Sequence, residues 1–387
     1  MHTQSQTQSH AQSHAQSNAQ SKFRLLVVRL GAMGDILHAL PAVTALRLAH
    51  PGWQIDWLVE PRWRALLSAS DAPGRDITEP DPRQPIVNRL HFASTKDWRR
   101  APFRAATLRE LSELRRLLRA SRYDAVLDLQ GALRSAVLAR LTGSRRRIGE
   151  SEPRERAARW FFTDRIATTG AHVIEQDFEL ASAVAGDELQ HVAPLLPADS
   201  QAESFADRLF AEAPGHPAIL INPGAGWGAK RWPVGRYAAV AKSLVQRGFR
   251  VLVNIGPGEH PLAEAIRAHA GPFAVPLSGD LAQLIAVTRR IALAIAGDTG
   301  PLHLACALGR PVVGIYGPTD PSRNGPFATR FRVLRSPLSR RDHTRHAEPE
   351  AGLLTIQIEE VLQAAEALLY PESAPDLNPD SNPASAP

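Results

Sequence analysis

Ile291-Ala-Leu-Ala-Ile-Ala296 followed by Gly297-Asp298-Thr299-Gly300-Pro301-Leu302-His303 is the stretch that decides the fold. An uninterrupted apolar run of this length suits a strand buried on both faces of a parallel sheet. The two glycines let the chain turn and approach a ligand closely, and Thr299 and Gly300 open a helix whose first N–H groups lack partners. Such a terminus attracts phosphate oxygens. Asp298 suits sugar hydroxyls better than phosphate, with His303 one turn further on; the plainer alternative for Asp298 is a helix cap.

Two further segments repeat the strand, glycine, helix order. Ala218–Ile221 runs into Asn222-Pro223-Gly224-Ala225-Gly226-Trp227-Gly228-Ala229-Lys230. Small residues there permit close approach to a phosphate chain, and Lys230 can set an ammonium against a departing diphosphate. With the Gly-Asp-Thr-Gly segment, this describes one nucleotide site at one sheet edge. Near the start, Phe23–Leu30 leads into Gly31-Ala32-Met33-Gly34-Asp35-Ile36-Leu37-His38. The spacing G-x-x-G lacks the dinucleotide signature and argues against NAD. Asp35 at this turn can face a cleft and take a proton from a hydroxyl, or simply complement the helix dipole.

In this order the three segments resemble the family-9 glycosyltransferases, the heptosyltransferases of the bacterial lipopolysaccharide inner core, over nearly all of residues 23–370. Met33–Pro41, Asp128-Leu129-Gln130-Gly131 and Phe162-Thr163-Asp164-Arg165 look most like the subgroup that adds the first heptose to a Kdo residue of Kdo2-lipid A. The resemblance implies Asp35 as general base and Lys230 on the donor diphosphate. It implies Glu259 on the ribose, and Asp298, Thr299, Gly300 and His303 on heptose and phosphate, with Gly224, Ala225 and Gly279 completing the donor site. Gly34, Gln130, Arg62, Arg64 and Arg134 are the expected acceptor contacts, the arginines because they follow expected strands. Gly31-Ala32 and Gly224-Ala225 replace hydroxyl residues of some relatives, so backbone N–H groups must take over those contacts. The implied donor is ADP-heptose, with inversion at the anomeric carbon and no cofactor. No Asp-x-Asp pair lies near the nucleotide segments, which supports a metal-independent reaction and leaves Mg2+ stimulation open.

At 387 residues the chain exceeds what one core usually serves. Expected strands at 54–59, 125–129, 250–255 and 311–315, with helices between, give α/β architecture. Two doubly wound Rossmann-like halves facing across a cleft, the GT-B arrangement, are expected on either side of a turn-rich region near 185–216. The expected boundaries are an acceptor half at 22–190 and a donor half at 191–370, with the last helix crossing back. Residues 1–21 and 371–387 are polar or Pro-rich and read as disordered tails. No secretory signal or apolar membrane span is visible, so the body is expected in the cytoplasm, peripheral on the inner membrane. Cys306, the single cysteine, excludes an intrachain disulfide and a cysteine-based zinc site, and is expected to pack within its helix.

Net charge is +6, but residues 89–165 hold nineteen Lys and Arg against nine acidic residues. Within them, a Thr107-x-x-Glu110 capping box is expected to open a helix with Leu108, Leu111, Leu114, Leu117 and Leu118 on its apolar face. The arginines are either a solvated face or a surface for anionic lipid. A nucleic-acid-binding protein would explain them but leave both glycine segments without purpose, so no nucleic-acid partner is expected. A sugar-nucleotide epimerase would share the architecture without an acceptor site. Heptosyltransferase II or a later core heptosyltransferase differs only in its acceptor.

Overall fold

The computed structural model describes residues 22–72, 81–341 and 346–371, so the expected tails lie outside the described residues except for Pro371. The first sheet holds β1 (Arg24–Val28), β2 (Gln54–Val59), β3 (Arg89–Phe92), β4 (Ala125–Asp128), β5 (Arg146–Glu150) and β6 (Asp164–Ile166). The second holds β7 (Ala218–Asn222), β8 (Arg250–Asn254), β9 (Ala274–Leu277), β10 (Leu293–Gly297), β11 (Val312–Tyr316) and β12 (Phe331–Arg335). Their spatial orders are β3-β2-β1-β4-β5-β6 and β12-β11-β10-β7-β8-β9. Numbered within its own half, each sheet has the same order, 3-2-1-4-5-6, and every pairing is parallel. Two Rossmann-like sheets of this kind make the expected GT-B fold. Each has a switch point where the order reverses, between β1 and β4 and between β7 and β10, and ligands settle outside the strand ends there.

The helices of the first half are α1 (Met33–Ala49), α2 (Thr95–Arg100), α3 (Ala105–Ala120), α4 (Leu133–Leu141) and α5 (Val173–Ala185). Those that follow are α6 (Ser200–Ala211), α7 (Val234–Gln246), α8 (His260–Ala270), α9 (Leu281–Thr288), α10 (Gly300–Ala307), α11 (Pro321–Asn324) and α12 (Ile358–Leu369). Helix α1 is apolar nearly all round, and residues 36–46 are buried without exception. A helix of that composition needs neighbours on every side. It has β1 before it, α5 along one flank and α10 of the other half along another. Burying Ile36, Leu37 and Leu40 stabilises the fold by roughly 1.5–3 kcal/mol each.

Four sequence expectations change. The region 185–216 is not only turns: Asp199 caps α6 by accepting from the Gln201 and Ala202 N–H groups at 3.1 and 3.0 Å. Helix α12 does not cross back, since its contacts are with α7 and β10–β12 of the second half. Thr107 lies inside α3, not at its cap; its hydroxyl donates to Ala101 O at 2.9 Å, and Glu110 instead accepts from Trp98 Nε1 at 2.7 Å. Of the α3 leucines, Leu114 and Leu118 are buried while Leu108 and Leu117 stay exposed.

Candidate active site

At the first switch point β1 ends beside Arg29, whose buried guanidinium turns back over the start of α1. Its Nε donates to Asp35 O at 3.1 Å, and Nη2 lies 3.6 Å from Asp35 Oδ1. Asp35 Oδ2 accepts from Ala32 N at 2.8 Å, so the carboxylate is fixed at the helix N-terminus, its side chain 37% exposed. The dipole role and an outward-facing carboxylate therefore coexist. At the end of β4, Asp128 Oδ1 accepts from Gln130 N and Gly131 N, both at 2.9 Å, and from Ser135 Oγ at 3.1 Å. Gln130 Oε1 accepts from Leu30 N at 3.0 Å and ties the two strand ends together.

These groups line a cavity of about 620 Å3, with Glu150, Arg154 and Asp177 on one side and Trp227, Arg323 and Asn324 of the second half on the other. Asp177 and Asp128 are buried, and Oδ2 of each has no hydrogen-bond partner. Burial pushes the Asp177 carboxyl up to about 7, against the pull of Arg29, and pushes Asp128 up to about 6 against its hydrogen bonds.

At the second switch point Asn222 closes β7; its Nδ2 donates to Gly224 O at 2.9 Å and to Thr299 Oγ1 at 3.3 Å. Glu259, before α8, accepts from Gly256 N at 2.8 Å and lies against Gly224, where any Cβ would strike its carboxylate. Lys230 Nζ forms an ion pair with Asp298 Oδ2 and lies 5.2 Å from the Trp227 ring centre. His303 Nε2 is 3.1 Å from Asp298 Oδ1. Burial pushes Asp298 up, but His303 and Lys230 outweigh it and hold the carboxyl well below the usual carboxylate range.

A partly exposed carboxylate at one switch point and a lysine beside a helix N-terminus at the other suit transfer of a group from a phosphorylated donor. The family model described as Glycosyltransferase family 9 (heptosyltransferase) matches residues 111–353. The chain belongs to this family. Lipopolysaccharide heptosyltransferase 1 of Escherichia coli K12 is 30% identical over 81% of this chain and 94% of that relative. The Pseudomonas aeruginosa protein of the same description is 28% identical over 79% of this chain and 81% of its own. The solved E. coli heptosyltransferase WaaC with ADP superposes with a TM-score of 0.72 at 26% identity, covering 89% of this chain and 100% of that one. This chain is therefore a glycosyltransferase enzyme of the heptosyltransferase family, and its relatives act in lipopolysaccharide core synthesis.

In this family 9 glycosyltransferase, Lys230, Asp298, Thr299, Gly300 and His303 meet at the second switch point, with Gly224, Ala225 and Glu259 on the neighbouring loops. Gly279 is exposed beyond β9, the edge strand, where a Cβ would meet Gln283 Oε1 at 2.7 Å. Gly34 is where α1 and α10 touch: a Cβ there would lie 2.8 Å from His303 Cδ2. Arg62, Arg64 and Arg134 are exposed and none lines the cavity. Arg62 pairs with Glu60 at 2.6 Å, Arg64 reaches Ala69 O at 3.4 Å, and Arg134 stands on the outer face of α4. The first two follow β2, one strand away from the switch point, so the cavity takes its arginines from Arg29 and Arg154 instead.

Sequence reasoning missed Arg29, Asp128, Arg154, Asp177 and Trp227 as site residues. Asp177 had a readable signal: it falls between Ile174, Phe178 and Ala181 on the apolar face of α5, where an unpaired carboxylate is costly without a purpose. Arg29, a charge directly after an apolar strand, was a second.

Proposed function

We propose that the chain transfers L-glycero-D-manno-heptose from ADP-heptose to Kdo of Kdo2-lipid A, with inversion at the anomeric carbon. The observation that carries this reading is the meeting of the two switch points: α1, which carries Asp35, packs against α10, beside which Lys230, Asp298 and His303 are joined, with Gly34 against His303. Asp35 takes the proton of the acceptor hydroxyl while its oxygen bonds to the anomeric carbon. The bond from that carbon to the phosphate oxygen breaks, and its electron pair leaves with ADP. Lys230 and the α10 N-terminus stabilise that charge. The step needs no metal; Mg2+ stimulation is a separate question of counter-charge in solution.

In this reading the donor occupies the half from 191 to 370 and the acceptor the half from 22 to 190. Arg29 and Arg154 are suited to the carboxylate of a sugar acid, and the partnerless oxygens of Asp128 and Asp177 to its hydroxyls. The arginine-rich face of the acceptor half, with Trp160 70% exposed between Arg159 and Arg165, suits an anionic membrane surface on the cytoplasmic side. No described helix is long and apolar enough to cross a membrane.

Mass spectrometry of the lipid after incubation with ADP-heptose tests the acceptor. Kdo2-lipid A should gain one heptose, and already heptosylated Kdo2-lipid A should gain none. The reverse pattern would make this a second-step or later core enzyme.

A further inference from the structure

The halves meet through two helix beginnings. A Cβ on Gly300 of α10 would lie 2.5 Å from Met33 Sδ of α1, just as one on Gly34 would meet His303. Within this contact His38 Nε2 lies 3.2 Å from His303 Nδ1, and each residue is only 6% exposed. A carboxylate only accepts, so the 3.1 Å contact to Asp298 Oδ1 places a hydrogen on His303 Nε2. His303 thus turns Nε2 to Asp298 and Nδ1 to His38, and a hydrogen bond between the two rings joins α1 to α10.

We infer that His38 is a positioning residue of the transfer reaction: the hydrogen bond from its Nε2 to His303 Nδ1 holds His303 from across the cleft, so the acceptor half completes the donor site. His38 follows Asp35 on α1 by one turn, so the same hydrogen bond sets the base relative to Asp298 and the donor. Burial, followed by the charges of His303, His172 and Arg29, keeps His38 well below the usual histidine range, so it stays neutral at neutral pH.

The activity part of this inference rests on the proposed heptose transfer, so its test has a second arm that needs no turnover. His38→Phe keeps a ring without a polar atom, whereas the amide of His38→Gln can donate or accept near the place of Nε2. With melting temperatures recorded for both, kcat should fall about tenfold or more in His38→Phe with the acceptor KM within about twofold, and should return to within about threefold of the parent in His38→Gln. Nitrogen-15 NMR of the unmodified protein should show a coupling across the hydrogen bond between His38 Nε2 and His303 Nδ1. An unchanged kcat in a folded His38→Phe, an equal loss in a folded His38→Gln, or no such coupling would each overturn the inference. Should neither variant transfer nor the parent act on ADP-heptose, the coupling still decides the positioning claim while the proposed function fails separately.

Discussion

The two halves share one strand order but treat buried carboxylates in opposite ways. At the first switch point Asp128 and Asp177 each keep an oxygen without a partner, and burial raises them to about 6 and about 7. At the second, both oxygens of Asp298 are occupied, by Lys230 and His303, and the group is held well below its ordinary range. The first arrangement leaves hydrogen-bonding capacity for a polyhydroxylated guest to fill. The second is a fixed charge pattern, suited to a ligand whose diphosphate does not vary. Identical topology supplies only the location; the charges decide what is bound.

The contrast breaks most readily at the second switch point. Lys230→Met leaves Asp298 buried with His303 alone, and removing one partner of a buried pair costs about 3–5 kcal/mol. Donor turnover should fall at least a hundredfold and the melting temperature should drop. The exposed Arg154→Ala should instead raise the acceptor KM without moving the melting temperature. Similar thermal losses in both would erase the distinction.

The next effect separates the halves by pH. Folded Asp177 titrates at about 7, above the roughly 3.9 of an unfolded aspartate. Its contribution is fully present below pH 4 and is lost as pH rises towards 7, because the unfolded chain releases the proton first. Asp298 has the opposite sign: its contribution is present above the unfolded value and is lost as pH falls below about 4. Denaturant titrations of Asp177→Asn should therefore gain on the parent between pH 4 and 7, by at most about 4 kcal/mol, and level off above that. A difference that stays constant with pH would contradict the buried, protonated Asp177.

Contact between the halves gives a smaller effect. Gly34→Ala drives a methyl into the His303 ring, an overpacking worth about 1–3 kcal/mol. Gly226→Ala, with open space at its Cβ and no left-handed φ, should change thermal stability and transfer rate little. Smallest of all is Arg134→Ala: on an exposed face outside the cavity, it should leave both acceptor and donor KM within about twofold in steady-state assays.

Strand positions were legible because buried parallel strands are written as continuous apolar runs; β2 at Gln54–Val59 matches the sequence reading residue for residue. The cluster at the second switch point was legible for a related reason, since glycines, Lys230, Asp298 and His303 all lie within short segments that follow such runs. The cavity at the first switch point was not, because it gathers side chains from the end of β1, β4, α5 and the loop after β5, which only the folded sheet brings together. Gly34 and Gly300 carried a double meaning: read as ligand glycines, they also let α1 and α10 approach closely, a long-range fact without a local signature. Arg62 and Arg134 followed strands as expected, yet their orientation was set by the 3-10 turn after β2 and by the outer face of α4.

The central claim is that Asp35 on one half activates an acceptor against a donor held by the other. Its most direct test is the rate of ADP release from ADP-heptose with and without Kdo2-lipid A, for the parent and for Asp35→Ala, alongside ADP affinity. The parent should release ADP only with acceptor present. Asp35→Ala should lower that rate by about 10²–10⁴ with ADP affinity within about twofold. Release indifferent to acceptor, or a variant that keeps the parent rate, would contradict it.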